Sequence, residues 1–479
     1  MINATSSFDQ SYELSIELER IFNLQKAHQQ KVADTSSGQR KAKLEKLRQA
    51  ILKYREQIRE ALYKDFRKPA SEVDIIEIYK TISDIKYAKA HLSNWMAPHK
   101  VSTPIPQIGT RSYIYYEPKG VVLIISPWNF PINLTVGPLV SAIAAGNCIM
   151  IKPSEHTPHS SALMKKMIAE LFDESEVALI EGDVTVATEI IKLPFNHIFF
   201  TGSPQIGKVI MKAAAENLAS VTLELGGKCP TIVDESADLK IAARRIAVGK
   251  WLNNGQLCIA PDYVLVHESI ANELLEELKK TLVAFYGDDP SKSDSYNRIV
   301  NHHHFQRIEG YFKDAISKGA EVAFGGNANS EDDFFAPTIM TNIGPNSDLW
   351  EKEIFGPILP FVTYSNLQQP IDWINAKEKP LAMYIFSNNK RNVGRIIRNT
   401  RAGATCINHA GLHFFNENLP FGGVNNSGIG KANGFFGFEA FSNARAVLKQ
   451  WARVNGVDAL VPPYTNKKQK LVDLMMKWL

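Results

Sequence analysis

The sequence predicts an α/β protein made of two successive open, mostly parallel sheets. Two observations carry this: short, continuous apolar runs rich in β-branched residues, and helix-patterned stretches that follow them. Gly120–Ile125 and Cys148–Ile151 are the first such runs, and the pattern returns at His197–Phe200, Pro230–Val233 and Tyr263–Val266. A strand buried on both faces of a parallel sheet needs apolar residues at every position, not at alternate ones. Helical spacing over Asn272–Leu282 follows the last run. At 479 residues the chain exceeds what one hydrophobic core usually organises, so two large domains with smaller attachments are expected.

Ahead of the first strand, Leu44, Leu47, Ile51, Ile58 and Leu62 recur at helical spacing and predict one long amphipathic helix over Gln39–Phe66. Glu45, Glu56 and Glu60 interrupt its lysines and arginines, which makes it a solvated face and not a nucleic-acid arm. A proline-punctuated stretch, Ser102–Pro106, and the tyrosine-rich Tyr113–Tyr116 separate it from the sheet. Glycine and asparagine concentrate in Gly422–Gly430, which reads as a structured loop. The basic, amphipathic Lys467–Leu479 is too short to cross a bilayer and reads as a docked surface helix.

A formal charge of +4 is small for this length and gives no strong pull toward nucleic acid or anionic membrane. The four cysteines, Cys148, Cys229, Cys258 and Cys406, lie far apart without a CxxC pair, which favours a reducing compartment over a zinc knuckle or disulfide scaffold. The first residues lack a secretory pattern and no run reaches the length of a membrane span, so the expected location is cytoplasmic. His302–His304 form no expected metal site, because consecutive helical residues point about 100° apart.

Four motifs carry chemistry. In Ser126–Pro131 the prolines stiffen a turn around Asn129, whose amide either donates to a developing oxyanion or bonds its own turn. Thr201–Lys208 follows a strand and precedes a helix pattern; it reads as an ordinary turn, a dinucleotide loop or a nucleotide P-loop. Against the last stands Val209, where a Ser or Thr must hold magnesium. In Leu223–Lys228, Glu224 sits between leucines ahead of paired glycines, either as a base with a raised pKa or as a cap on the turn. In Asn253–Ala260, Cys258 follows a glycine turn and is either core filler or a nucleophile.

Together with Lys152–Glu155, Glu353–Pro357 and Pro420–Gly423, these motifs make the chain resemble the aldehyde dehydrogenase superfamily over roughly Lys41–Tyr464. Ala260–Tyr263, Asn418–Val424 and Pro462–Tyr464 make it most similar to the class 3 branch, which acts on fatty and aromatic aldehydes. The resemblance implies an aldehyde dehydrogenase-like fold with two Rossmann-type open-sheet domains and a small β oligomerisation arm. Residues 1–98 and 120–226 would bind the dinucleotide, 227–412 would form the catalytic domain, 99–119 and 413–450 the oligomerisation segments, and 451–479 a tail. It further implies Cys258 as nucleophile, Glu224 as the base for thioester hydrolysis, and Asn129 with the Cys258 N–H as the oxyanion site. Lys152 and Glu155 would address the adenosine ribose; Gly202, Ser203 and Gly207 the pyrophosphate; Glu353 the nicotinamide ribose; Trp128 and Phe355 would complete the cofactor site. The cofactor implied is NAD with NADP tolerated, the partner an aldehyde, the assembly a homodimer. CoA-acylating chemistry and a catalytically silent protein of the same fold are the alternatives. Leu257 and Cys229 depart from the family's usual residues; Leu257 is expected to narrow the acyl pocket, and neither is expected to touch a catalytic group.

Overall fold

The computed structural model describes residues 3–453 and 455–477. Among them β1 (His99–Val101) and β2 (Thr110–Pro118) begin an arm, and β3 (Val121–Ile125), β4 (Cys148–Lys152), β5 (Val177–Leu179), β6 (His197–Gly202) and β7 (Ser220–Leu225) build a first sheet. Next come β8 (Pro230–Val233), β9 (Tyr263–His267), β10 (Glu321–Phe324), the small hairpin β11 (Ala328–Asn329) and β12 (Phe334–Phe335), then β13 (Thr338–Thr341), β14 (Ile358–Tyr364), β15 (Ala382–Phe386) and β16 (Ala404–Ile407). Finally β17 (Gly428–Ile429) returns to the first sheet and β18 (Ser442–Gln450) to the arm.

The first sheet has the order β17-β7-β6-β3-β4-β5 and is parallel except for β17. Its direction of growth reverses between β3 and β6, which opens a crevice at the carboxyl ends of those strands. Its all-apolar strands serve two cores. Val122, Ile124, Ile149 and Ile151 join the helices of residues 37–95 and 133–171, whereas Val121, Leu123, Cys148 and Met150 join the opposite face. That second face is covered by the helices Pro204–Glu216 and Asn3–Ala33. The N-terminal helix was not foreseen; it docks through Leu18, Ile21, Phe22 and Val32.

The expected single helix over Gln39–Phe66 is two, Ser37–Lys53 and Arg55–Phe66. Tyr54 breaks it at φ −91° and ψ 8°, and its hydroxyl donates to Glu170 Oε1 at 2.6 Å. The break lets Leu44, Leu47, Ile51, Ile58 and Leu62 all reach one core. Farther on, Val73–Tyr79 is a π-helix between Ala70–Glu72 and Lys80–Trp95, and it turns the Glu77 side chain into the interior.

The second sheet has the order β10-β13-β14-β9-β8-β15-β16, parallel except for β10. Helices Leu239–Trp251 and Ala271–Tyr286 cover it. In the arm, β2 lies between β1 and β18 in one antiparallel sheet, paired with β18 from Thr110↔Gln450 to Pro118↔Ser442. The tail helix Asn466–Lys477 has no buried residue among those described and touches the short 3₁₀ turn Gly456–Leu460. None of the described helices is long and apolar enough to cross a membrane.

Leu139, fully buried in the helix Asn133–Ala145, anchors the helical layer to the first sheet. Leu139→Ala is expected to cost about 2–5 kcal/mol of stability, read as a lowered midpoint in urea unfolding.

Candidate active site

Leu225 ends β7 and Pro230 begins β8, so the chain first passes from one sheet to the other through the short link 226–229. The carboxyl edge of the first sheet therefore faces the amino edge of the second. From the first edge come Trp128 and Asn129 after β3, Gly202 and Ser203 at β6, and Glu224 in β7; from the second come Cys258 ahead of β9, and Glu353 and Phe355 ahead of β14. All of them line a cleft of about 950 Å³. Cys258 and Glu224 also line a second cavity of about 330 Å³, walled by Trp95, Phe130, Leu257, Ile259, Phe414 and Phe421. Leu257 is part of the wall of the apolar chamber. An ion pair, Lys80 with Asp84, interrupts that wall and was not foreseen.

The nucleophile loop is wound tightly. Asn253 (φ 50°), Asn254 (φ 57°) and Gly255 (φ 71°) are all left-handed. At Gly255 a Cβ would lie 2.2 Å from the Gly356 carbonyl oxygen, so only glycine fits. The Gln256 amide holds the loop: its Nε2 donates to Asn253 O (3.1 Å) and Arg298 O (3.0 Å), and its Oε1 accepts from Val300 N (3.0 Å). Cys229 does touch a catalytic candidate, contrary to expectation, because its thiol donates to the Cys258 carbonyl oxygen at 3.5 Å. The reason is the short link, which carries Cys229 under the nucleophile loop. Burial, with the carboxylates of Glu353 and Glu224 nearby, pushes the Cys258 thiol up to about 12.

Glu224 is buried, and neither carboxylate oxygen has a hydrogen-bond partner among the described residues. Burial raises its pKa to about 8 against the opposing charge of Lys431. Lys431 is held by the carbonyls of Gly422 and Gly423, inside the loop predicted from its glycines. That loop is tied to the site by the pairing of Gly428 with Glu224. Asn129 is also buried; its Nδ2 donates to Gln256 O at 3.0 Å, which aims the amide at the nucleophile loop.

On the cleft side, Ser203 caps the helix Pro204–Glu216, its Oγ accepting from Ile206 N at 3.4 Å. The open helix end, with Gly202, Ser203, Pro204 and Gln205 in the cleft wall, is a ready anion site. Gly207 lies one turn inside the helix, against Leu225. Glu353 occupies the space that a side chain at residue 226 would enter: a Cβ on Gly226 would lie 2.1 Å from Glu353 Oε2, so glycine there lets the carboxylate keep this position. Burial and then Asp262 raise the Glu353 pKa to about 8. Lys228 bonds Asp262 and the carbonyls of Leu349 (2.8 Å) and Lys352 (2.9 Å), which fixes the loop bearing Glu353 and Phe355. Phe355 sits at φ 45° with its ring edge-on to Trp128 at 5.4 Å.

Lys152 and Glu155 are not among the cleft-lining residues; they lie at the end of β4, paired with each other at 3.2 Å. The sequence reading missed His304 and Arg307, which line the cleft, and His304 packs on Trp128 at 4.9 Å. His302 turns instead to Asp333 at 3.4 Å, so the histidine run points several ways.

A half-buried thiol and a buried carboxylate without a hydrogen-bond partner among the described residues are shared by an apolar chamber and a polar cleft, an arrangement suited to an enzyme that works on an apolar substrate. The model of the aldehyde dehydrogenase family matches residues 14–447. The chain is 42% identical to 4,4'-diaponeurosporen-aldehyde dehydrogenase of Staphylococcus aureus, over 89% of this chain and 92% of that protein. It is 42% identical to the dimeric NADP-preferring aldehyde dehydrogenase of Canis lupus familiaris, over 85% and 88%. A solved structure, the substrate-bound state of Staphylococcus aureus AldH, superposes with a TM-score of 0.91 at 40% identity, covering 95% of this chain and 99% of that one. The chain belongs to the aldehyde dehydrogenase family, whose members oxidise aldehydes with NAD(P).

With its thiol neutral at rest, Cys258 is expected to react with iodoacetamide at a rate that climbs roughly tenfold per pH unit between pH 6 and 8 without a plateau. Peptide mapping by mass spectrometry separates it from Cys406, and a plateau below pH 8 contradicts the buried-thiol account.

Proposed function

We propose that this chain oxidises a medium- or long-chain aliphatic or aromatic aldehyde to its carboxylic acid, through a thioester on Cys258 that water hydrolyses with Glu224 as base. The observation that carries the reading is that these two side chains line both the apolar chamber and the polar cleft. The aldehyde tail fits the aromatic wall of the chamber, which brings its carbonyl to the thiol.

The thiol starts protonated, so its proton must leave as sulfur attacks; the buried, unpaired Glu224 carboxylate is the acceptor on hand. Attack gives a thiohemiacetal whose oxyanion takes hydrogen bonds from the Asn129 amide and the Cys258 N–H. A bound nicotinamide dinucleotide supplies the hydride acceptor that turns this adduct into a thioester. Glu224 releases that proton to bulk water and then takes one from the attacking water; the hydroxide oxygen adds to the thioester carbonyl, the C–S bond breaks, and the proton on Glu224 passes to the departing thiolate, which leaves the carboxylic acid and a neutral Cys258 thiol. The intact base favours this over transfer to CoA, and the complete set of groups favours an enzyme over a silent relative.

The cleft fits the dinucleotide: Gly202 and Ser203 would hold the pyrophosphate at the helix start, with Gly207 letting that helix pack closely on Leu225, Glu353 would take the nicotinamide ribose beside Gly226, and Trp128 and Phe355 the ring end. Lys152 and Glu155 would take the adenosine ribose. Glu155 opposes a 2′-phosphate and its partner Lys152 offsets that charge, so NAD is preferred and NADP tolerated. A homodimer built through the β1-β2-β18 arm and a cytoplasmic location complete the proposal, supported by the exposed arm residues Tyr115 and Leu448 and by four free cysteines.

Cys258→Ala is expected to abolish NADH formation from decanal or benzaldehyde, assayed without CoA, while circular dichroism and cofactor binding stay unchanged; turnover in that variant removes the nucleophile assignment. Because Glu224 takes the thiol proton before it activates water, Glu224→Gln should lose the pre-steady-state burst of NADH as well as steady turnover, the latter by about 100-fold or more. Because the base acts ionised and burial lifts its pKa to about 8, kcat in the parent should rise with pH through a midpoint near 8. A midpoint near the ordinary value of 4.5 contradicts the desolvated base.

A further inference from the structure

A buried ion pair outside the two cavities holds the turn that presents Asn129. Lys68 and Glu77 both have fully buried side chains and meet at 2.8 Å. Lys68 Nζ also donates to the Asn129 carbonyl oxygen at 2.9 Å and lies 4.0 Å from the centre of the Phe130 ring. The second oxygen of Glu77 accepts from Asn133 N at 2.9 Å. One ion pair therefore grips both ends of the turn 129–133, at the carbonyl of its first residue and the N–H of its last.

The same carbonyl is bound from the other side. Asn253 Nδ2 donates to Asn129 O at 2.8 Å and to Gln256 O at 3.1 Å, and Gln256 O in turn accepts from Asn129 Nδ2. Asn253 is itself held through its backbone N–H by Glu72 Oε2 at 3.3 Å. Two donors on one carbonyl leave the Asn129–Phe130 peptide no freedom to rotate. The asparagine amide, its own peptide and the nucleophile loop thus form a closed hydrogen-bonded ring anchored on Lys68. Burying two charges is weak as a source of stability, since an apolar pair of equal volume often stabilises as well or better. An apolar pair fills the space but fixes no peptide.

We propose that Lys68, paired with Glu77, is a positioning residue for the oxyanion site: it acts through the Asn129 peptide to set where the asparagine amide points relative to Cys258. This rests on the assignment of Asn129 as the oxyanion donor. Small displacements of such a donor weaken a bond made only when charge develops on the substrate oxygen, so the loss falls on kcat and not on binding.

The experiment is a mutant cycle between the ion pair and Asn129. Lys68→Gln with Glu77→Gln removes both charges together, so no unpaired ion stays buried. In the parent background this double variant is expected to lose about 10- to 100-fold in kcat, with the aldehyde KM and the cofactor Kd within about twofold of the parent. Asn129→Ala alone is expected to lose about 100- to 1,000-fold. Adding the double variant to Asn129→Ala should then cost nothing further, because the pair no longer has an amide to aim. An equal fractional loss in both backgrounds means that the pair acts on the fold in general and overturns the proposal, as does parent-like kcat in the double variant; in those cases the Asn129 role stands. Parent-like kcat for Asn129→Ala overturns the oxyanion assignment and this proposal with it. Should the double variant fail to fold, Lys68→Arg takes its place in the same cycle: it keeps the charge but its planar fork cannot place one nitrogen on both acceptors. A loss of about tenfold confined to the Asn129 background supports the proposal, and equal losses in the two backgrounds overturn it.

Discussion

A neutral thiol and a carboxylate without hydrogen-bond partners share the seam between two sheets, and the rest of the architecture serves to keep them there. Leaving a buried carboxylate unpaired costs free energy that folding must offset elsewhere. Around Glu224 and Cys258 three polar side chains are held on every side. Gln256 spends both ends of its amide on backbone, Asn253 bridges two carbonyls, and Lys228 fills its ammonium with Asp262 and two carbonyls. The same desolvation lifts Glu353 to about 8, so burial at the seam acts on its carboxyl groups and its thiol alike.

The seam follows from a topological fact. Open parallel sheets bind ligands at their carboxyl edges, where helix starts and glycine turns gather, and the first sheet obeys this at the β3/β6 reversal. The second sheet contributes its amino edge instead, because the link from β7 to β8 is too short to turn the chain around. Groups from the loops before β9 and β14 are thereby set against the cofactor cleft. The arrangement sets Cys258, Glu353 and Phe355 of the second sheet against Asn129, Ser203 and Glu224 of the first.

Much of this was legible in the residues. Strands with apolar residues at every position announce burial on both faces, and Val121 to Ile124 do alternate between two cores. The motifs around Asn129, Glu224 and Cys258 each left two readings open and became readable through their joint resemblance to one family, although at Gly255, facing the Gly356 carbonyl, backbone geometry does demand the residue found. The groups that escaped notice have no such local signature. Lys68, Glu77 and Asn253 act through contacts across 60 to 180 positions of chain, and a π-helix, which no periodicity rule at 3.6 anticipates, is what turns Glu77 inward. His304 was hidden in a run whose three members face different ways, and the N-terminal helix in a stretch with few apolar residues. The break at Tyr54 was invisible for the opposite reason: the periodicity runs on across it.

The two cavities meet at Cys258 yet reach the surface through different walls, one past Ile75 and Leu412, the other past Glu351, Lys352 and Glu378. A passage entered from both ends imposes no queue. With the aldehyde in the chamber and the dinucleotide in the cleft, as proposed above, each ligand would have an opening of its own.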